Sequence, residues 1–255
     1  MSGSAQLSKS MDAVGEFVVL SAETLTHTFR RPFAWRELFE QISFVARVSI
    51  FPTIMLSIPY TVLIVFTLNI VLLEIGAGDL SGAGAALASV TQVGPVVTAI
   101  VVSGAGATAM CADLGARTIR DELDALRVMG VDPVHRLVVP RVLAATLVAV
   151  SLVSLVTFVG LAGSFGFAVF VQHVTPGAFA AGLTLFTGLP DILLGLVKGA
   201  LFGLSAALIA CYKGMSVRKG PQGVGNAVNE TVVYSFIALF VINIIATAVY
   251  YTSAK

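Results

Sequence analysis

A chain of 255 residues that is 57% hydrophobic and only 11% charged carries less than half the charge of an ordinary soluble domain (about 25%) and cannot cover a water-exposed surface. The expected solvent is a bilayer, and a net charge of +1 removes the electrostatic case for a nucleic-acid partner. Cys111 and Cys211 lie a hundred residues apart in apolar runs, and His27, His135 and His173 are scattered. Buried, inert thiols are expected, with no metal-ligand spacing.

Residues 1–47 come first. Val14, Val18, Leu25 and Phe29 recur at helical spacing, as do Leu38, Ile42 and Val45. Trp35 stands among Arg30, Arg31 and Arg36, a combination that favours an interfacial amphipathic segment over a span. No compact apolar core of a secretory signal is visible, so this segment is expected to be retained on the cytoplasmic side. Residues 48–255 are read as one membrane domain built from four charge-poor stretches: 48–73, 80–112, 142–190 and 231–254. A spanning helix needs about 20 apolar residues. The first, second and fourth stretches each hold one span. The third holds a span near 142–170, then a piece, PGAFAAGLTLFTG, whose length suits a short external interfacial or re-entrant helix. A further span near 192–212 follows, interrupted only by Lys198. The fold class expected is therefore an all-α integral membrane protein with five transmembrane helices. Pro52 and Pro59 are expected to interrupt the first span's hydrogen-bond ladder. With Tyr60, Leu63 and Phe66 they are candidates either for lining a path through the membrane or for ordinary packing of a kinked helix.

Thirteen of the fifteen basic residues fall in 1–47, 113–141 and 213–220, including Lys9, Arg47, Arg136, Lys213, Arg218 and Lys219. Five spans put those three segments on one face. The positive-inside rule makes that face cytoplasmic, with the C-terminus outside in the periplasm.

RTIRDELDALRVMGVDP, residues 117–133, holds seven charged side chains. As a helix over about 116–130 it aligns Ile119, Leu123, Leu126 and Met129 on one stripe. Arg117 with Asp121, and Arg120 with Asp124, stand four apart. Gly130 and Pro133 stop it. It is too short and too charged to cross a membrane, and a lone helix of this length is marginal in water. A surface-lying connector and a docking helix for a partner both satisfy these constraints.

The run GATAMCADLGARTIRDELDALRVMGVDPVHRLVVPRVLA (106–144) resembles the signature region of the MlaE/YrbE permeases, membrane subunits of lipid-moving ABC transporters in bacterial envelopes. The resemblance continues through DILLGLVKGALFG (191–203) and GPQGVGNAVNETVVYS (220–235). It implies that 116–130 is a cytoplasmic coupling helix seated in a groove of the ATPase. Arg117, Asp121, Glu122 and Asp124 would be its polar contacts, and Leu123, Leu126 and Met129 its apolar anchor. Residues 51–85 further resemble the YrbE subunits that accompany Mce proteins in mycobacteria and related actinobacteria. That resemblance implies a second permease subunit, paralogous or identical, together with a cytoplasmic ABC ATPase dimer and Mce-domain tunnel proteins. It also implies an inner-membrane location and cargo such as fatty acids, mycolic acids or sterols.

This chain departs from the family pattern at three intramembrane sites, four residues in all. Thr91-Gln92 replaces Arg-Glu, Ala105 replaces an Arg, and Asn243 replaces an acidic residue. These changes imply a less charged cargo, or a partner subunit that supplies the missing charges. Lys198 fits the family's lipid cavity by resemblance; by physics alone it could equally snorkel or pair with a neighbouring carbonyl. Gly195, Gly199 and Gly203 read as a helix-packing ladder.

No G-x-x-x-x-G-K-[ST] occurs, so the chain itself has no phosphate-cradling loop. ATP and Mg are assigned to the partner ATPase. No convergent nucleophile or acid–base set is visible, and no catalytic residue is assigned. The leading reading is a non-enzymatic lipid permease. A membrane scaffold and a membrane-embedded lipid-modifying enzyme are the alternatives.

Overall fold

A computed structural model describes residues 2–28, 34–77, 80–172, 174–183, 185, 187–217 and 220–253. The expectations placed on Phe29, Arg30, Arg31, His173, Arg218, Lys219 and Lys255 lie outside the described residues. The described residues are almost entirely helical, and five helical runs are long and apolar enough to cross a membrane.

Helix α1 spans Ser2–His27 and α2 spans Trp35–Glu74. Leu38, Ile42 and Val45 therefore belong to one continuous helix with the first span. α2 continues helically through Pro52 and Pro59, whose missing N–H groups leave two gaps in its hydrogen-bond ladder. Flanking hydroxyls turn back onto the chain: Thr53 donates to the Ser49 carbonyl (2.6 Å) and Ser57 to that of Ile54 (3.1 Å). Serine and threonine hydroxyls of this kind help a proline-containing helix persist in a membrane. Every fourth residue of α2 from 41 to 69 is buried: Gln41, Val45, Ser49, Thr53, Ser57, Thr61, Val65 and Asn69. Most of these are small or polar, so backbones approach closely. A Cβ added at Gly160 would meet Thr61 Oγ1 at 3.0 Å.

The second run comprises α3 (Ser81–Ala88), α4 (Gly94–Val101) and α5 (Ala107–Ile119), joined by π-helical turns at Ser89–Val93 and Val102–Gly106. It is the most buried of the five runs. Helix α6 (Glu122–Val128) follows, then a π-turn at Val134–Val138 and α7 (Val139–Phe170). The short α8, Pro176–Gly182, opens with the Thr175 side chain accepting from the Ala178 N–H. It folds onto α3, where Gly182 and Gly82 leave no room for side chains. Helices α9 (Leu189–Met215) and α10 (Pro221–Ser253) complete the chain.

α7 packs between α2 and α9, and α9 packs on α5 and α10. The glycine ladder of α9 serves this packing. A Cβ at Gly203 would lie 2.5 Å from the Ala145 carbonyl oxygen, and one at Gly199 would lie 2.8 Å from Val153. Met110, Cys111, Leu114, Ala145, Ala149 and Phe202 form the centre of the core. Both cysteines are buried and free.

Candidate functional site

Two polar constellations stand out, one at the charged end of the bundle and one within it. At the charged end, the segment 117–130 departs from the single helix expected. α5 ends at Ile119, Asp121 takes a left-handed conformation (φ 57°), and α6 restarts at Glu122. Aspartate tolerates that region better than most residues with a Cβ. The break divides the expected apolar stripe. Leu123 is buried in the core with Leu114 and Leu137, and Leu126 packs partly against it. Met129 is 67% exposed and its neighbour Val128 is 89% exposed. The break also changes the ion pairs. Arg117 meets Asp113 (3.4 Å) rather than Asp121, Arg120 meets Glu122 (3.0 Å) rather than Asp124, and Asp124 meets Arg127 (2.9 Å). The last two pairs are exposed and contribute little to stability. Gly130, at φ +74°, ends the segment, and the Asp132 carboxylate accepts from the Val134 N–H (2.9 Å) to start the next turn.

Behind α6 lies a cluster that the sequence reading did not single out. The Arg141 side chain is fully buried, with Nη2 2.5 Å from Asp113 Oδ2 and Nη1 3.8 Å from Glu37 Oε1. Nη1 also donates to the Leu137 carbonyl (2.9 Å), and Gln41 donates to Glu37 (3.1 Å). One guanidinium thus joins α2, α5 and α7. Thr118 donates to the Gly214 carbonyl (3.0 Å) and ties α5 to α9. His27, at the end of α1, lies 2.9 Å from Asp132. By sequence Arg141 is one more basic residue of the 113–141 connection. The available signal is a cation directly abutting the long apolar run that begins at Val142.

The inner constellation surrounds Lys198, which is buried about 20 Å along α9 from Tyr212. Its Nζ donates to the Thr247 hydroxyl (2.8 Å) and lies 3.5 Å from the Thr91 carbonyl. Pro95, four residues beyond Thr91, has no N–H to offer that carbonyl. Thr247 donates in turn to the Asn243 carbonyl (2.6 Å). The Asn243 Oδ1 is buried without a hydrogen bond. Lys198 therefore does not snorkel, and it has no bond to Asp191. That carboxylate caps Gly188 (2.9 Å) and accepts from the Tyr250 hydroxyl (3.0 Å). Thr91, Lys198 and Asn243 are brought together through Thr247, while Gln92 is exposed.

The α2 candidates belong to another face. Tyr60 packs with Val93, Val97 and Val156, and Phe66 stands edge-on to Phe167. Pro52 is half-buried, Pro59 is exposed and Leu63 is 64% exposed.

Residues 38–249 match the family model described as permease MlaE. The chain belongs to the MlaE permease family. A probable ABC transporter permease of Synechocystis is 34% identical over 70% of this chain and 69% of its own length. The intermembrane phospholipid transport system permease protein MlaE of Haemophilus influenzae is 28% identical over 71% and 69%. TRIGALACTOSYLDIACYLGLYCEROL 1, a chloroplastic protein of Arabidopsis thaliana, is 29% identical over 71% of this chain and 52% of its own length. In this MlaE-family permease the Lys198 constellation lies inside the matched region, as does the charged-end one apart from His27 and Glu37.

Proposed function

We propose that this MlaE-family permease is the membrane subunit of an ATP-driven lipid transporter, seated in a bacterial inner membrane with its charged end in the cytoplasm. The observation that carries the reading is the construction of α6. Leu123 roots it in the core, and its outer surface presents Val128 and Met129 beside Arg120, Asp121, Glu122, Asp124 and Arg127. Exposed apolar side chains ringed by charge are the features of an interaction surface. Its partner on this reading is a cytoplasmic ABC ATPase dimer, which holds the ATP and Mg. A second permease subunit, paralogous or identical, completes the membrane part. The resemblance to actinobacterial YrbE sequences supports Mce-domain tunnel proteins as the remaining partners. Lys198, Thr91 and Asn243 are assigned to the cargo path. With one ammonium and no buried carboxylate among them, they suit a cargo of low charge such as a fatty acid, mycolic acid or sterol.

The paired substitution Val128→Asp and Met129→Asp tests the docking surface. Burying either side chain against a partner contributes about 1.5–3 kcal/mol. The double variant is expected to insert normally yet lose its co-purifying ATPase and any lipid-stimulated ATP hydrolysis. Wild-type stoichiometry of ATPase on the variant would return α6 to a surface connector.

A further inference from the structure

Two cavities adjoin at the charged end of the bundle and share Tyr212 and Lys213. The first, of about 460 Å³, is apolar and lies between α1, α9 and α10, with Ala13, Phe17, Ile209, Ile237 and Ala238 on its walls. The second, of about 330 Å³, is polar and includes Ser216, Asn226 and Glu230. Their order along α10 is significant. The polar cavity runs from Gly223 to Glu230 and the apolar one from Tyr234 to Ala238, about 10 Å farther along the helix. The polar part therefore lies toward the helix end and the apolar part toward the middle of the span, as the head and chain of a membrane lipid do.

The charges are specific in kind. Lys213 Nζ lies 2.6 Å from Glu230 Oε2 and 4.6 Å from the centre of the Tyr234 ring. The Tyr212 hydroxyl donates to Glu16 Oε2 (3.2 Å), and the Tyr212 ring stands edge-on to Phe17 at 5.8 Å. Among the described residues, two carboxylates thus stand by one ammonium: Glu230 on the polar cavity's wall and Glu16 behind the Tyr212 hydroxyl. Lys213 has three N–H donors and Glu230 takes one, which leaves donors for a phosphate. The surplus carboxylate and the tyrosine faces suit a second cation.

We propose that this double cavity binds one phospholipid of the surrounding bilayer, of the zwitterionic class with an ammonium headgroup. Lys213 holds the phosphate, Glu16 and Glu230 face the ammonium, and one acyl chain fills the apolar cavity. The site is separate from the Lys198 cluster. It rests on the permease reading only for which leaflet it faces, and the test below needs neither transport nor an ATPase.

The full-length chain, purified with the subunits that accompany it, is stripped in detergent. It is then titrated with phosphatidylethanolamine or phosphatidylglycerol of identical chains, and bound lipid is counted by native mass spectrometry. One phosphatidylethanolamine per chain is expected, retained about fivefold better than phosphatidylglycerol, a ratio matching a cation–π and carboxylate contribution of about 1 kcal/mol. Ala238→Trp, which fills the apolar cavity, should abolish retention of both lipids. Ala13→Trp fills the same cavity from α1 and replaces it if the first variant does not fold. Glu16→Gln with Glu230→Gln should erase the preference while leaving retention. Equal retention of the two lipids by the wild-type chain, or retention unchanged in both filled variants, would overturn the proposal.

Discussion

Arg141 and Lys198 are both buried cations on membrane helices, yet they differ in how they are neutralised. Lys198 is held by a hydroxyl and a carbonyl, neutral groups that leave its charge uncompensated. Arg141 is matched by Asp113 at 2.5 Å, with Glu37 behind, and its charge is spent inside the protein. Removing one partner of a buried pair strands the other and costs about 3–5 kcal/mol. Arg141→Met should fall at the lower end, because a third of the Asp113 side chain is exposed. The expected loss is read as a lowered denaturation midpoint of the detergent-solubilised chain. An unchanged midpoint would mean that the cluster holds nothing together. Lys198 was legible in the sequence because it interrupts an apolar run, and an intramembrane charge is conspicuous. Arg141 was not, because its partners stand 28 and 104 positions away, and spacing cannot reveal pairing at that range.

At the level of elements, charge-poor length located the five spans, since a bilayer demands long apolar runs. The interruptions were less visible. Pro52 and Pro59 look like breaks but lie inside a continuous helix, whereas the real break at Asp121 sits among good helix formers. Its cause is tertiary: Leu123 reaches the core beside Leu114 and Leu137, which a straight extension of α5 would not achieve. The glycines divide in the same way. Gly203 and Gly166 are alike in sequence terms, each inside an apolar helix. A Cβ at Gly203 would strike the backbone of Ala145 and Thr146, while one at Gly166 would meet nothing within 4 Å. Gly203→Ala should therefore destabilise by about 1–3 kcal/mol through overpacking. Gly166→Ala should be neutral or gain up to about 1 kcal/mol from helix propensity. Thermal denaturation of the two variants side by side checks the contrast, and equal effects would refute it.

For the whole molecule, the clustering of arginine and lysine predicts one orientation. α6, the end of α9 and α1 gather at the charged end, where Thr118 donates to Gly214 and His27 stands beside Asp132. Arg120→Cys and Ser216→Cys should thus react with a membrane-impermeant thiol reagent only from the cytoplasmic side, and Ser253→Cys only from outside. Cys111 and Cys211 are buried and should give little background. Labelling of position 216 in intact cells would invert the assignment. The sequence yields an orientation to test because the rule behind it needs only counts of charge per loop. The shape of each candidate site was not legible there, because it depends on which helix faces meet.

The buried ladder on α2 has a mechanical meaning. Near one end the helix is held by Glu37 against Arg141, and near the other Asn69 donates to Gln172 at 2.6 Å. Between these points the hydroxyls of Thr53 and Ser57 bond to their own helix, and those of Ser49 and Thr61 have no partner. The middle of α2 is seated by shape alone. Such a helix behaves as a beam clamped at both ends. Its stiffness is lowest at midspan, where two prolines have removed rungs of the hydrogen-bond ladder. Any force the charged end applies through Arg141 would reach the far end as a bend centred on Pro52 and Pro59, with no side-chain hydrogen bond to a neighbouring helix broken along the way.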